Sequence, residues 1–229
     1  MEFSVACMKQ QTVMPDMWII CDNSDESEPL WEDMNIEVPM TIVRVSAQQT
    51  IGMMRNLCIA HALKHNPDYI VFWDDDDYYH PERIQQNIEA LQKNPTADIS
   101  ASTKMFMLLT RENVLMTTGP FGEKHGTAAT FCIRADYARN NRFDGTKTRG
   151  EEVSFTKMWT ANLVQVENPE KMIVVMGHSK NTVNKSDLLA RPKLYNAAIL
   201  DDANGRMRFR MQWNVSSQVW DLFRKAFSV

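Results

Sequence analysis

Short apolar runs, rich in β-branched and aromatic side chains and closed by polar or turn-forming residues, predict strands over residues 18–21, 41–45 and 69–73. Elsewhere the apolar spacing lengthens to that of a helix. Ile51, Met54, Leu57, Cys58, Ala62 and Leu63 trace one stripe over residues 51–65. Ile84, Ile88 and Leu91 trace another over 81–93, where Pro81 suits a first helical turn. Asn66-Pro67 and Asn94-Pro95 stop these two helices. A weaker helical spacing, with Phe3, Cys7 and Met8 on one side, covers residues 3–11. The order strand, loop, strand, helix, strand, helix predicts an α/β fold on a largely parallel sheet.

After Pro95 the pattern changes. Residues 97–109 alternate toward strand, 110–113 read as a turn and 114–118 return, which is a hairpin. Gly119, Gly122 and Gly126 mark a loop holding Lys124 and His125. A strand over 128–133, a short helix over 135–138, a helix over 151–161 headed by Glu151-Glu152, and strands over 164–166 and 172–176 complete this half. The change of pattern divides residues 1–184 into two parts, 1–95 and 96–184. Residues 185–229 form a basic, aromatic extension: Arg191, Lys193, Arg206, Arg208, Arg210, Arg224 and Lys225 interleave with Trp213, Trp220, Phe223 and Phe227, and 212–227 fits a helix with a broad apolar side.

Composition narrows the class. Of 229 residues 44% are hydrophobic and 24% charged, ordinary for a globular chain, and the net charge of −4 argues against a wholesale nucleic-acid coat. Cys7, Cys21, Cys58 and Cys132 are widely spaced, with no C-x-x-C pair or zinc spacing, and a reducing, cytoplasmic setting is expected. Neither a signal peptide nor an apolar run of bilayer length is read.

The chemistry concentrates where the 69–73 strand ends, at Asp74, Asp75, Asp76 and Asp77. Carboxylates this crowded repel one another and need a cation or strong donors to stay ionised together. In an open α/β sheet the ligand crevice lies beyond the carboxyl ends of the strands. Mn²⁺ or Mg²⁺ prefers carboxylate oxygen and shares its remaining positions with substrate phosphates. A solvated acidic turn is the plainer reading of the same run.

Five segments, in order, resemble the motifs of the family 2 glycosyltransferases of the GT-A fold. They are Gln10-Gln11-Thr12 with 18–24, Gly52-Met-Met-Arg55-Asn56, the 69–77 strand with its D-x-D aspartates, Gly150-Glu151-Glu152, and His178-Ser-Lys-Asn181. The resemblance implies a Rossmann-like, mostly parallel sheet flanked by helices, with a smaller antiparallel part and a helical tail. It implies an inverting transferase using a nucleoside-diphosphate-sugar donor. Two departures stand out: the family's usual first strand has no counterpart before residue 3, and Glu152 stands where the family usually has Asp.

On this resemblance Asp22 contacts the base, and Asp74 contacts the ribose beside Asp75. Asp76 holds the metal, Asp77 joins the coordination or only supports it, and Arg55 reaches the donor or pairs with Asp74. His178 donates to the diphosphate or ligates the metal, Lys180 balances phosphate charge, and Glu152 is the general base with Glu151 as its fallback. Each has a structural alternative: a turn for Asp22, an ion pair for Arg55, first-turn helix stabilisation for the Glu-Glu pair. The acceptor stays open among glycan, lipid-linked and nucleic-acid molecules. The tail has three uses: packing on the domain or in a homo-oligomer, lying on a membrane surface, or holding DNA. A non-catalytic member that binds a nucleotide or partner is the alternative to an enzyme. A nucleotidyltransferase is a third reading, and the phosphate loop it needs is not found.

Overall fold

The computed structural model describes residues 2–24, 34–45, 49–179, 181 and 187–229. Its elements run α1 (Glu2–Lys9), β1 (Trp18–Asp22), β2 (Met40–Arg44), α2 (Ile51–Ala62), β3 (Tyr69–Val71), β4 (Tyr78–Tyr79) and α3 (Arg83–Lys93) in the first part. They continue with β5 (Ile99–Ala101), β6 (Met105–Leu109), β7 (Val114–Thr118), β8 (Cys132–Arg134), α4 (Ala135–Asn140), α5 (Glu152–Phe155), β9 (Leu163–Gln165) and β10 (Ile173–Gly177). The last are α6 (Asp187–Ala190), β11 (Ala198–Asp201), α7 (Gly205–Gln212) and α8 (Ser217–Phe227). The α/β class is the expected one.

The strands form a parallel β1–β2 pair, a five-stranded sheet in the order β11-β7-β6-β10-β4, and a four-stranded sheet in the order β3-β8-β5-β9. Pairing is mixed: β5 with β9 and β6 with β10 are parallel, while β8 runs antiparallel to both β3 and β5. This register positions the crevice. Val71 lies opposite Cys132, Cys132 opposite Ser100, and Ser100 opposite Val164, so β3, β5 and β9 point the same way at one level. The residues that follow β3 and β5 therefore emerge at the same end of the sheet, where such sheets receive ligands.

Several predicted elements are shorter or divided. The 97–109 run is two strands in different sheets, because Ser102 and Thr103 give their backbone N–H groups to the side chains of Thr130 (3.0 Å) and Gln165 (2.8 Å) instead of a ladder partner. The 128–133 run begins as a single 3₁₀ turn, Ala128–Thr130. The 151–161 helix stops at Phe155, and Lys157, Met158 and Trp159 all take left-handed backbone angles, with φ of 52°, 57° and 64°. Such angles are uncommon for residues other than glycine.

The tail packs on the domain. α1 is embedded over six consecutive residues, Phe3 to Met8, because α8 closes over Phe3 on one side while Val5 and Met8 pack on Trp18 and Ile20 on the other. Phe3 meets Phe223 at 6.1 Å and Phe227 at 5.6 Å between ring centroids. β11 extends the five-stranded sheet beside β7, and Trp213 donates to the Glu170 carbonyl (2.7 Å). Val219, Trp220 and Phe223 are buried, so the apolar side of α8 is spent on the protein's own core. The basic side chains of Arg208, Arg224 and Lys225 stay exposed on the outer side of the tail. Among the described residues no helix is long and apolar enough to cross a membrane.

Candidate active site

Four residues of α2 and its cap hold the segment that carries Glu151 and Glu152. Thr50 caps the helix by accepting from the Met53 N–H (3.2 Å) and donates to the Gly145 carbonyl (2.6 Å). Gly52, Arg55 and Asn56 follow at the three- and four-residue spacing that puts side chains on one helical face. A Cβ on Gly52 would lie 2.0 Å from the Asp144 carbonyl oxygen, so only glycine lets the two backbones approach. Asn56 exchanges two hydrogen bonds with the Phe143 backbone, both 2.9 Å. The G-x-x-R-N pattern is thus a docking face for residues 143–151.

Arg55 joins the two acidic groups. Its Nε donates to Glu151 Oε1 (3.1 Å) and its Nη2 lies 3.3 Å from the Asp74 carboxylate, while its guanidinium sits over Phe72 (5.6 Å) and Phe143 (5.9 Å). Asp74 and Glu151 are thereby brought to one place from opposite halves of the sequence. The two glutamates divide their tasks. Glu151 is buried and engaged by Arg55, whereas Glu152 is half-buried. Burial, and then the neighbouring Glu151 charge, push the Glu152 carboxyl above the ordinary glutamate range.

Removing Arg55 leaves Asp74 and Glu151 without their cation, and uncompensated buried charge of this kind costs about 3–5 kcal/mol. For Arg55→Met we expect a melting temperature lower by roughly 10 °C, since 1 kcal/mol moves a domain of this size by about 2–4 °C. A change of only about 2 °C in thermal melts would show that the pair contributes little.

A second cluster surrounds Asp76. His178 Nε2 lies 3.1 Å from Asp76 Oδ2, and Asn181 Nδ2 donates to the same oxygen (3.2 Å). Asn181 also accepts the His178 backbone N–H (2.7 Å), which fixes the turn after β10. Phe227 of α8 packs on the His178 ring at 5.3 Å, so the tail supports this side of the site. Beneath, the Asp74 backbone N–H donates to the Tyr79 hydroxyl (2.7 Å), and Tyr79 stacks on Trp73 at 3.9 Å. Arg83, buried among them, lies 5.4 Å over the Tyr79 ring.

The other expected residues are placed differently. Asp77 is buried, and its Oδ1 accepts the Met176 backbone N–H (2.8 Å). Its carboxylate ties β10 to the turn before β4, and we leave it out of the ligand set. Asp75 is exposed at its outer surface, while crowding by the protein around its carboxyl, and then Asp76, push its pKa up. Asp22 Oδ1 accepts from the Ser24 N–H (2.8 Å) and hydroxyl (2.6 Å), and its Oδ2 accepts from Arg44. This is the capping arrangement of a turn aspartate. Lys180 lies outside the described residues. Sequence reasoning left Asn181 and Tyr79 without roles. Asn181 stood inside the His178-Ser-Lys-Asn181 segment, whereas nothing local signalled Tyr79.

Among the described residues no cluster of three or more His, Cys, Asp or Glu side chains is poised as a preformed metal cage. Asp76 and His178 nonetheless present an oxygen and a nitrogen 3.1 Å apart. A Mg²⁺ or Mn²⁺ ion that takes one or two protein ligands and completes its shell with phosphate and water needs no more. The donor set fits such an ion.

The family model described as glycosyl transferase family 2 matches residues 5–157, about two thirds of the chain. Among solved structures, S. aureus TarS residues 1–349 in complex with UDP aligns over 98% of this chain and 67% of that chain, with a TM-score of 0.55 at 14% identity. A197 from STIV aligns over 73% of this chain and 96% of its own, with a TM-score of 0.44 at 13% identity. The likeness to TarS is one of fold. No curated protein sequence matches significantly.

Proposed function

We propose, since the chain belongs to glycosyl transferase family 2, that it moves a sugar from a nucleoside-diphosphate donor to an acceptor hydroxyl with inversion at the anomeric carbon. The observation that carries this reading is the Arg55 bridge, which holds the Asp74 end of β3 against the segment bearing Glu152. One side of the crevice then offers acidic and imidazole ligands, and the other a carboxylate with a raised pKa.

In this reading the diphosphate lies on the Asp74–Asp76 side. Asp76 and His178 would hold a divalent ion there, whose chemistry is to neutralise the leaving diphosphate. Asp74, kept in place by Arg55 and Tyr79, orients the donor. Glu152 accepts the acceptor's hydroxyl proton as that oxygen attacks the anomeric carbon. The new C–O bond forms as the bond to the diphosphate breaks, and the electron pair leaves on the diphosphate oxygen. A raised pKa suits Glu152 to the task, because a base works best with a pKa near the working pH.

The TarS structure was solved with UDP, so UDP heads the probes. Isothermal titration with UDP, GDP, ADP and CDP is expected to show binding of one diphosphate that requires Mn²⁺ and weakens in His178→Ala. Equal affinity with and without Mn²⁺, or no binding of any diphosphate, would overturn the reading.

A further inference from the structure

At the carboxyl end of β5 lies an open depression of about 520 Å³, lined by Thr103, Pro120, Phe121, Gly122, Glu123 and Gln165. Phe121 is the one ring in its lining, and two more rings follow from it by contact. Phe121, 43% exposed, meets His125 at 4.9 Å, and His125 meets Trp159 at 4.5 Å and 37°. We propose that this ringed depression is a subsite for a sugar unit of the acceptor, which makes the acceptor a saccharide. The proposal rests on the transferase reading above.

Its position follows from the strand register. Thr103 stands three residues beyond Ser100, and Asp74 three beyond Val71, and these two starting points are level across β8. The depression therefore opens at the same end of the sheet as the acidic cluster. It is two strand spacings along, on the order of 10 Å. Glu152 and Trp159 are also linked directly: the short α5 that starts at Glu152 leads into the left-handed turn at 157–159 that presents Trp159.

The platform is preorganised. Gln165 donates from Nε2 to the carbonyls of Glu123 (2.9 Å) and His125 (2.7 Å) while its Oε1 accepts from Thr103 N–H (2.8 Å). The Thr103 hydroxyl accepts the Phe121 N–H (2.9 Å) and lies 3.0 Å from His125 Nδ1. Asn196, from beyond α6, donates to the Pro120 carbonyl (3.1 Å). A loop fastened this way holds its rings without a ligand.

The chemistry selects a sugar. A pyranose presents an apolar C–H face to an aromatic ring and hydroxyls around its edge. An aromatic wall beside a few polar groups is the matching site. The lining carries one carboxylate, Glu123, and no Lys or Arg. A nucleic-acid strand needs cations for its phosphates, and a carboxylate there repels them. Burial pushes the His125 pKa down, which leaves that ring neutral.

The test is saturation-transfer NMR on the full chain with soluble trisaccharides of glucose, N-acetylglucosamine and mannose, a single-stranded oligonucleotide, and UDP with Mn²⁺. We expect saturation on the ring C–H protons of at least one trisaccharide, lost in Trp159→Ala and in Phe121→Ala, with UDP signals unchanged in both. Phe121 is exposed, so its truncation leaves the fold intact. No transfer to any trisaccharide, transfer that persists in both variants, or transfer to the oligonucleotide alone would overturn the proposal. Sugar signals lost in the variants with no UDP signal in any protein would uphold the subsite and reject the donor reading instead.

Discussion

Replacing Asp76 by alanine is expected to lower sugar transfer by on the order of a thousandfold while leaving the fold intact. A divalent ion at a leaving diphosphate supplies several kcal/mol of charge stabilisation, and about 4 kcal/mol corresponds to a thousandfold in rate. Asp76 is the point where His178 and Asn181 converge, and its loss would remove one of the two proposed ligands and free the other. The side chain is 39% exposed, so its removal costs little in packing. Steady-state rates with a nucleotide sugar, alongside a thermal melt, separate the two effects. A residual rate within about tenfold of the parent, roughly 1.4 kcal/mol, would place the ion elsewhere. Asp77→Ala supplies the contrast. It removes the buried acceptor of the Met176 amide, so its effect should fall on stability before rate.

The second large effect is expected at Glu152. A general base contributes about 10²- to 10⁴-fold, and Glu152→Gln should lose that much of kcat with nucleotide affinity kept. The pH dependence carries a sign. Burial and Glu151 raise the Glu152 pKa in the folded protein. The active, ionised form therefore appears only as pH rises through a value above the ordinary glutamate range, and the acid limb of the rate profile lies there. Stability runs the other way. A carboxyl with a raised folded pKa adds stability that is fully present at low pH and lost as pH rises through that pKa. At neutral pH the glutamine variant is thus expected to be nearly inactive yet at least as stable as the parent. A variant both inactive and markedly less stable would point to a structural role for Glu152. Glu151→Gln is the control, because it abandons Arg55 and should lose stability first.

How much of this was legible in the sequence depended on the range of the signal. β1, β2, α2, α3 and the β6–β7 hairpin announced themselves because each carries its own apolar period and its own stop signals. The division of 97–109 did not, since the groups that turn the chain there, Thr130 and Gln165, lie 28 and 62 residues on. The site divides along the same line. A carboxylate run after an apolar strand is a local pattern, but which of its members faces the crevice is settled far away. Asp77 is turned inward by an amide 99 residues later, and Asp76 is met by His178 at a separation of 102. For Arg55 the donor contact and the ion pair were both open. In the structure it bridges Asp74 and Glu151. The tail's aromatic stripe was equally plain, yet amphipathicity states that a helix has a buried side without saying against what.

That stripe has a consequence for synthesis on the ribosome. α1 is buried along most of its length, and part of its cover, α8, emerges far later in the chain: Lys225 pairs with Glu2 across 223 residues. At translation rates of roughly 5–20 residues per second, α1 waits for α8 for about 10–40 s. During that interval the α1 face that α8 covers is exposed, and the His178 side of the candidate crevice lacks the Phe227 that backs it. Ribosome-bound chains arrested before α8 should accordingly be more protease-sensitive at α1 than chains that carry α8.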